Sequence, residues 1–363
     1  MRSDYDLVAI VALESALFFS LPTWIFAVDA AWPASNPVWF GIALVAGASL
    51  ALLVCHVLPA LCGPPVLAVL NSRVPRVIRI VVSFSLSSGA VVSMAQMAQT
   101  SGGLSTGWHH DTMPREIAVA IITTITCIVG PLWITWRVPH LQPLVAGFCL
   151  IVGVCLISSA VWVNWPGLFV RNGHLISEDA LGNPVSVARG MLIAATPAAA
   201  LALRAGTLRL TTKRIWLTGL IGVWLPLVLS VSACSVAKLC GARLYWRPSV
   251  PIDATFAFLW LTRMTNEPVT RLWPLSLACV GPCMVYAIWI QDLTTELSWK
   301  WQKPVALFFL AILAYVLMSV EPWGWYYPYP FWYWSVIGAL GILASLWLFL
   351  RTRSSKVGVV STS

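Results

Sequence analysis

The chain has 363 residues, of which 59% are hydrophobic and only 10% are charged, and its mean hydropathy is +0.83. A soluble protein carries about 25% charged residues, so this composition excludes an ordinary water-soluble fold. The formal net charge is +9. Because the basic residues flank long apolar runs, we expect them to face anionic lipid, and no nucleic acid partner is predicted.

Apolar runs of about 17–24 residues follow one another along the chain, and a bilayer core about 30 Å thick needs about 20 such residues per helix. We therefore predict an all-α fold: a polytopic transmembrane helix bundle of about ten spans, with ends defined to about 2–4 residues. Residues 1–363 would form a single integral membrane domain with a short cytoplasmic tail at 351–363. The predicted spans are 7–27, 38–61, 77–97, 117–136, 144–163, 190–206, 215–238, 272–290, 304–320 and 331–350.

The positions of lysine and arginine predict the orientation, because these residues are more frequent in cytoplasmic loops. If the first span leaves the cytoplasm, 14 of the 22 basic residues lie inside and 8 outside. Both termini are then cytoplasmic, and the plasma (cell inner) membrane is the expected location. The segment 252–264 either lies at the interface or crosses the membrane, and a crossing there would invert everything after it.

Several predicted spans contain a proline, which removes a backbone hydrogen bond that must be replaced within the hydrocarbon. Broken helices of this kind build substrate sites in transporters, although proline is also common in membrane helices generally. The prolines within the spans are Pro22, Pro131, Pro197, Pro226 and Pro282.

Glu14 is the one acidic residue well inside a predicted span. An ionisable side chain at such a position faces a partner or a water-filled cavity. A short connection at 28–37 suggests that the first two spans are antiparallel neighbours, which makes His56 the expected partner. The pattern indicates either a glutamate that reaches the interface or a group that couples protons or contacts substrate.

Polar residues lie along one face of the third predicted span. Such a face is typical of close helix packing through small and amide side chains, and it would also suit the wall of a polar pathway. The candidates are Ser85, Ser88, Gln96 and Gln99.

Two predicted external loops contain the other titratable candidates, His109, His110 and Asp111 in one and His174 in the other. Imidazole and carboxylate groups can ligate metals or exchange protons near neutral pH. Adjacent residues rarely face a single ion, so solvated loops are the simpler interpretation, and neither a metal site nor a cofactor is predicted.

The nine cysteines include no C-x-x-C motif and are interpreted mainly as small buried hydrophobic residues. Cys279 and Cys283 would share a helix face.

The segment 321–334 is rich in tryptophan, tyrosine and proline and connects the last two predicted spans. Aromatic rings with a polar edge favour the membrane interface, so an interfacial belt is the simplest interpretation. Trp323 and Trp325 are candidates for a stacking platform, because the surrounding prolines would stiffen the connection.

These features favour a permease or transporter for a small or lipid-linked substrate. The alternatives are a non-catalytic membrane subunit of a larger complex and a membrane-embedded enzyme with an external histidine-containing site. The expected partners are the lipid bilayer and other membrane subunits. ATP-driven transport would need a separate ATPase, because the chain contains no Walker motif.

Overall fold

The computed structural model describes residues 2–29, 37–62, 76–106, 113–164, 184–205, 212–244 and 268–318, with five isolated positions between 336 and 347. These residues are almost entirely helical and include no strand, which confirms the predicted all-α class for the described part of the chain. The helices are α1 (Arg2–Asp29), α2 (Pro37–Cys62), α3 (Arg76–Thr106), α4 (Met113–Thr124), α5 (Gly130–Arg137), α6 (Gln142–Asn164), α7 (Pro184–Ala205), α8 (Thr212–Thr218), α9 (Leu225–Leu244), α10 (Pro268–Glu296) and α11 (Trp299–Met318). Two π-helical segments, π1 (Ile125–Val129) and π2 (Gly219–Trp224), join α4 to α5 and α8 to α9.

Within the described ranges, three helical stretches are long and apolar enough to cross a membrane: Ile117–Arg137, Trp216–Ser235 and Leu277–Glu296. Shorter apolar stretches occur in α1, α2, α3, α6 and α7. Helices therefore coincide with the first nine predicted spans, although only three of them meet the criteria for length and composition. The last predicted span, the segment 252–264 and the tail lie outside the continuously described residues.

Helix α10 forms the centre of the bundle and packs against α1, α3, α6 and the α4–π1–α5 rod. Every residue from 278 to 290 is buried. The fully buried ring of Tyr286 packs edge-on against Trp289, with ring centroids 5.5 Å apart. The helix is apolar around its circumference because protein surrounds it on all sides.

Helix α3 runs antiparallel to α10, and serine side chains join the two helices. Ser87 donates a hydrogen bond of 3.0 Å to the carbonyl of Trp289, and Ser101 lies 3.4 Å from the thiol of Cys279. The residue number rises along α3 as it falls along α10, which fixes their relative direction. Both serines are buried, and small polar side chains of this kind let helices approach closely in membranes.

Helices α2 and α7 cross at a close contact lined by small residues. A Cβ atom at Gly47 would collide with the backbone of Met191, 2.6 Å from its Cα. Residues at four-residue intervals lie on one face of each helix, so small side chains recur along both sides of the contact. These buried residues are Ala43, Gly47 and Ala51 in α2 and Gly190, Ala194 and Ala198 in α7.

The outward faces of the bundle are apolar. In Ile117–Arg137, which is the most apolar of the three long stretches, only 28% of the residues are buried, against 78% in Leu277–Glu296. Leu144 and Ile151 of α6 are also largely exposed, whereas Glu14, Ser87 and several other polar residues are buried. Polar groups thus lie inside and large apolar side chains outside.

Candidate functional site

Glu14 lies on the buried face of α1. This helix packs against α6, α10 and the α8–π2–α9 rod, and its residues 13–20 are all buried. The side chain of Glu14 is only 2% exposed, between Leu13 and Ala16, which are also buried. A carboxyl group in such surroundings carries a large desolvation cost as an anion, so its position is unusual for a purely structural residue.

Glu14 meets the π2 segment at Gly222. A Cβ atom at residue 222 would collide with Oε2 of Glu14, and it would lie 2.9 Å from the Cβ and 3.3 Å from the Cδ of the glutamate. Glycine is therefore required for this carboxyl group to reach the backbone of π2. Oε2 is buried and has no hydrogen-bond partner among the described residues.

The sequence explains why π2 forms at this point. Pro226 has no N–H group and cannot donate to the carbonyl of Gly222, which would be its partner in an α-helix. The N–H of Leu225 instead bonds to the carbonyl of Leu220, five residues earlier. π-Helical turns are rare and occur frequently at functional sites. The carboxyl group of Glu14 thus lies against the residue whose carbonyl the proline leaves without its usual donor.

The π1 segment repeats this arrangement in the α4–π1–α5 rod. Pro131 follows π1 and deprives the carbonyl of Cys127 of its α-helical donor, and the N–H of Gly130 bonds to Ile125, five residues earlier. Both π segments end two residues before a proline. The residue four positions before the proline is buried in each case, and a buried side chain reaches it from another helix.

A third proline is accommodated differently. Pro282 in α10 cannot donate to the carbonyl of Ala278, and α10 remains α-helical. The hydroxyl of Ser20 in α1 donates to that carbonyl over 3.4 Å. A neighbouring helix therefore supplies the hydrogen bond that the proline removes, as is common where water is excluded. Nearby, a Cβ atom at Gly281 would collide with Ala16 at 2.7 Å, so α1 and α10 are in close contact.

Buried thiols gather where π1 and α3 meet α10. The thiol of Cys127 lies near the thiols of Cys279 and Cys283. Cys283 also donates to the sulfur of Met97 over 3.7 Å. Cys279 and Cys283 share a helix face, as predicted, but the sequence did not point to Cys127 as their neighbour. Within the described ranges, no three His, Cys, Asp or Glu side chains form a group that could hold a metal ion.

The third-span candidates make local hydrogen bonds. Ser85 donates to the carbonyl of Val81 and Ser88 to that of Phe84, each four residues earlier in α3. Gln96 and Gln99 lie in α3, and their side chains are outside the described part of the structure. Ser87 and Ser101, which do contact α10, were not candidates.

The expected neighbourhood of α1 and α2 is wrong. In the described residues these helices do not pack extensively on each other, and both contact the α8–π2–α9 rod instead. On the α2 side, Trp224 of π2 donates to the hydroxyl of Ser49 over 3.1 Å. π2 therefore lies between Glu14 and α2. His56 lies in α2, but its side chain is outside the described residues, so its pairing with Glu14 stays a prediction.

The remaining candidates fall on parts of the chain that the structure does not describe. These are His109, His110 and Asp111 in the first external loop, His174 in the second, and Trp323 and Trp325 in the aromatic segment. Their proposed roles remain predictions from the sequence.

Comparison with known proteins adds no family to these observations. No protein family model matches the chain, and no curated protein is similar to it. The candidate site therefore depends on its own geometry: a buried carboxyl group in contact with a glycine of a π-helical segment.

Proposed function

We propose that the chain is a multi-pass integral membrane protein of the plasma (cell inner) membrane, and that it acts as a permease for a small or lipid-linked substrate. The observation that carries the proposal is the contact between Glu14 and Gly222. An ionisable group is buried among apolar helices, and the helix it touches is interrupted at that point.

The distribution of apolar side chains supports a lipid environment. The stretch Ile117–Arg137 is strongly apolar yet mostly unburied. In water, each large apolar side chain left exposed would forgo about 1.5–3 kcal/mol of burial free energy. In a bilayer the same side chains face hydrocarbon, and the buried serines and Glu14 face the protein.

The relative directions of the helices support the predicted number of crossings between them. Helix α3 is antiparallel to α10, because Arg79 contacts Glu296 while Ser101 contacts Cys279. This requires an even number of crossings between these helices. Four predicted spans separate them, so the antiparallel arrangement favours an interfacial 252–264 segment over a crossing one. α1 runs antiparallel to α10 as well, with Ser20 at Ala278 and Ala16 at Gly281.

In the proposed function, Glu14 couples the movement of a proton to the packing of π2. A proton on the carboxyl group removes its charge and with it most of the desolvation cost. The neutral acid is also a hydrogen-bond donor, and the carbonyl of Gly222 has lost its α-helical donor to Pro226. Loading and release of the proton would therefore change the contact between α1 and π2.

Membrane integration is tested first. We expect the protein to remain in the membrane pellet after extraction with alkaline carbonate and to require detergent for purification. A polypeptide that stayed monodisperse in buffer without detergent or lipid would contradict the proposal.

Transport is tested with the protein reconstituted on a solid-supported membrane. Transient currents are recorded while amino acids, sugars, nucleosides, short peptides and organic cations are applied at several pH values. We expect one class to give a current, and we expect Glu14→Gln to abolish its pH dependence. Asp292→Asn, which removes an exposed carboxylate, is the matched control and should leave the current unchanged.

A folded wild-type protein that gives no current with any class would contradict transport of these small substrates and favour the non-catalytic subunit. A current whose pH dependence survives in Glu14→Gln would leave transport standing and refute the coupling role of Glu14.

A further inference from the structure

A cluster of basic side chains surrounds the junction of α10 and α11, and we propose that it binds the phosphate of an anionic phospholipid. We call this cluster the basic corner and define it as Arg76, Arg79, Lys300 and Lys303. The proposal rests on the membrane location given above, and it adds a specific ligand class to it. It does not depend on what the protein transports.

Contacts with Glu296 bring the two arginines to the end of α10. Arg76 donates to the backbone carbonyl of Glu296 over 3.0 Å, and Arg79 forms an ion pair of 3.3 Å with its carboxylate. The last carbonyls of a helix carry partial negative charge, which favours cations at this position. The side chains of Arg79 and Glu296 are each 27% exposed, so the pair lies at the edge of the bundle.

Hydrogen bonds also hold the start of α11 at this corner. The side-chain amide of Gln302 donates to the carbonyls of Thr294 and Leu297, over 3.0 and 3.4 Å. These bonds satisfy carbonyl groups at the end of α10 and fix the turn into α11. Lys300 and Lys303 flank Gln302 at the start of α11, which begins three residues after Glu296.

Aromatic packing keeps α11 against α3. The ring of Phe84 stacks on Phe308 and Phe309, with centroids 5.7 and 5.6 Å away. The arginines at the start of α3 and the lysines at the start of α11 therefore belong to one packed unit.

The basic corner carries a net positive charge, and its two lysines form no ion pair in the described part of the structure. The corner contains four basic residues, and the acidic residues in the adjoining end of α10 are Asp292 and Glu296, so the net charge of these six residues is +2. In the described part of the structure, Glu296 pairs with Arg76 and Arg79, while Lys300 and Lys303 are exposed. The exposed ammonium groups of the two lysines thus remain as donors for a phosphate group.

Two tryptophans indicate that the corner lies at the level of the lipid headgroups. Trp299 is 74% exposed and Trp301 is 63% exposed, and they alternate with Lys300 and Gln302. Exposed tryptophan next to lysine is typical of the interface, where the indole ring contacts acyl chains and its N–H stays hydrated. A lipid phosphate with its acyl chains matches this combination better than a free anion, which would gain nothing from the indole rings.

The experiment titrates dioleoyl phosphatidylglycerol into the full-length protein in a neutral detergent and measures the apparent Kd from the shift of the unfolding midpoint. Dioleoyl phosphatidylcholine and inorganic phosphate are titrated in parallel. We expect saturable binding of phosphatidylglycerol and much weaker effects of the other two. Equal effects of the two lipids would overturn the proposal, and equal binding of inorganic phosphate would show an anion site without lipid selectivity, which also overturns it.

The double variant Lys300→Gln/Lys303→Gln tests the residues. Each basic group near an anionic lipid contributes about fivefold in affinity, so the double variant should raise the apparent Kd about 25-fold. The charge-matched control is Arg137→Gln/Arg214→Gln, which removes two exposed arginines on other helices. A loss in the control as large as in the lysine variant would assign the effect to net charge and overturn the site.

Glu296→Gln gives an effect of opposite sign that misfolding cannot imitate. It removes the carboxylate that competes for Arg79, so phosphatidylglycerol should bind more tightly. Unchanged or weaker binding in this variant would contradict the proposed role of the arginines. Failure of carbonate extraction to retain the protein refutes the membrane proposal itself, whereas retention without lipid selectivity refutes only the basic corner.

Discussion

Replacement of Ser20 by alanine removes the hydrogen bond that Ser20 donates to the carbonyl of Ala278. That carbonyl lacks its α-helical donor because residue 282 is proline. In the Ser20→Ala variant the carbonyl is buried, and no water reaches it from a hydrocarbon environment. We therefore expect the protein to become less stable without any change in its fold.

The size of the effect follows from the geometry and the surroundings. The distance of 3.4 Å is long for a hydroxyl donor, so the bond itself is weak. Side-chain hydrogen bonds between membrane helices contribute about 0.6 kcal/mol on average and up to about 1.7 kcal/mol. Loss of a buried partner adds part of a desolvation cost of about 1–3 kcal/mol. We expect the free energy of unfolding to fall by about 1 kcal/mol.

A double-mutant cycle with Pro282→Ala isolates the mechanism. Alanine at residue 282 restores an N–H group that can bond to Ala278, so Ser20→Ala should then have an effect below about 0.3 kcal/mol. The assay is equilibrium unfolding by SDS in mixed micelles. Ser85→Ala is the control, because Ser85 donates to the carbonyl of Val81 in its own helix. Equal effects of Ser20→Ala in both backgrounds would refute the explanation.

Three glycine substitutions, measured by the same unfolding assay, test the helix contacts. Gly47→Ala places a Cβ against the backbone of Met191, which cannot rotate away. We expect the unfolding free energy to fall by about 2–3 kcal/mol, and an unchanged value would contradict the close contact. Gly222→Ala places a Cβ 2.9 Å from the Cβ of Glu14, which cannot rotate away, as well as against its carboxyl group, so we expect a loss of about 2–3 kcal/mol together with the altered pH dependence of Glu14→Gln; normal pH dependence would separate the two residues. Gly147→Ala meets no atom within 4 Å and should raise the unfolding free energy by up to about 1 kcal/mol, and a marked loss there would discredit the other two interpretations.

The positions of the helices were readable from the sequence because a run of about 20 apolar residues is a strong signal. The sequence was less informative about which helices pack against each other. Lipid and protein interior are both apolar, so hydrophobicity does not mark which face of such a helix is buried. The sequence suggested that α1 lies beside α2 because the connection between them is short, whereas α1 packs on α6, α10 and the α8–π2–α9 rod.

One of the two residues of the candidate site could be predicted from the sequence. Glu14 was found because a carboxyl group is conspicuous in an apolar run, but Gly222 carries no chemistry that draws attention to it. Its position four residues before Pro226 was the available signal, since that spacing identifies the carbonyl that the proline leaves without a donor. The small residues of α2 and α7 were likewise present at four-residue intervals, and this pattern predicts close packing.

The π segments also determine how the helices after them are rotated. A π turn holds one residue more than an α turn, and one residue corresponds to about 100° of rotation around the helix axis. Pro131 and Pro226 prevent the extra residue from being absorbed by ordinary α-helical bonding at that point. Deletion of a single residue within 219–224 would therefore remove the extra residue and leave Leu227 and Val231 of α9 on the buried face, whereas the same deletion in a regular α-helical stretch would turn the residues after it by about 100°. The single π turn of π2, which Glu14 contacts at Gly222, therefore determines which side chains of α9 face the protein interior.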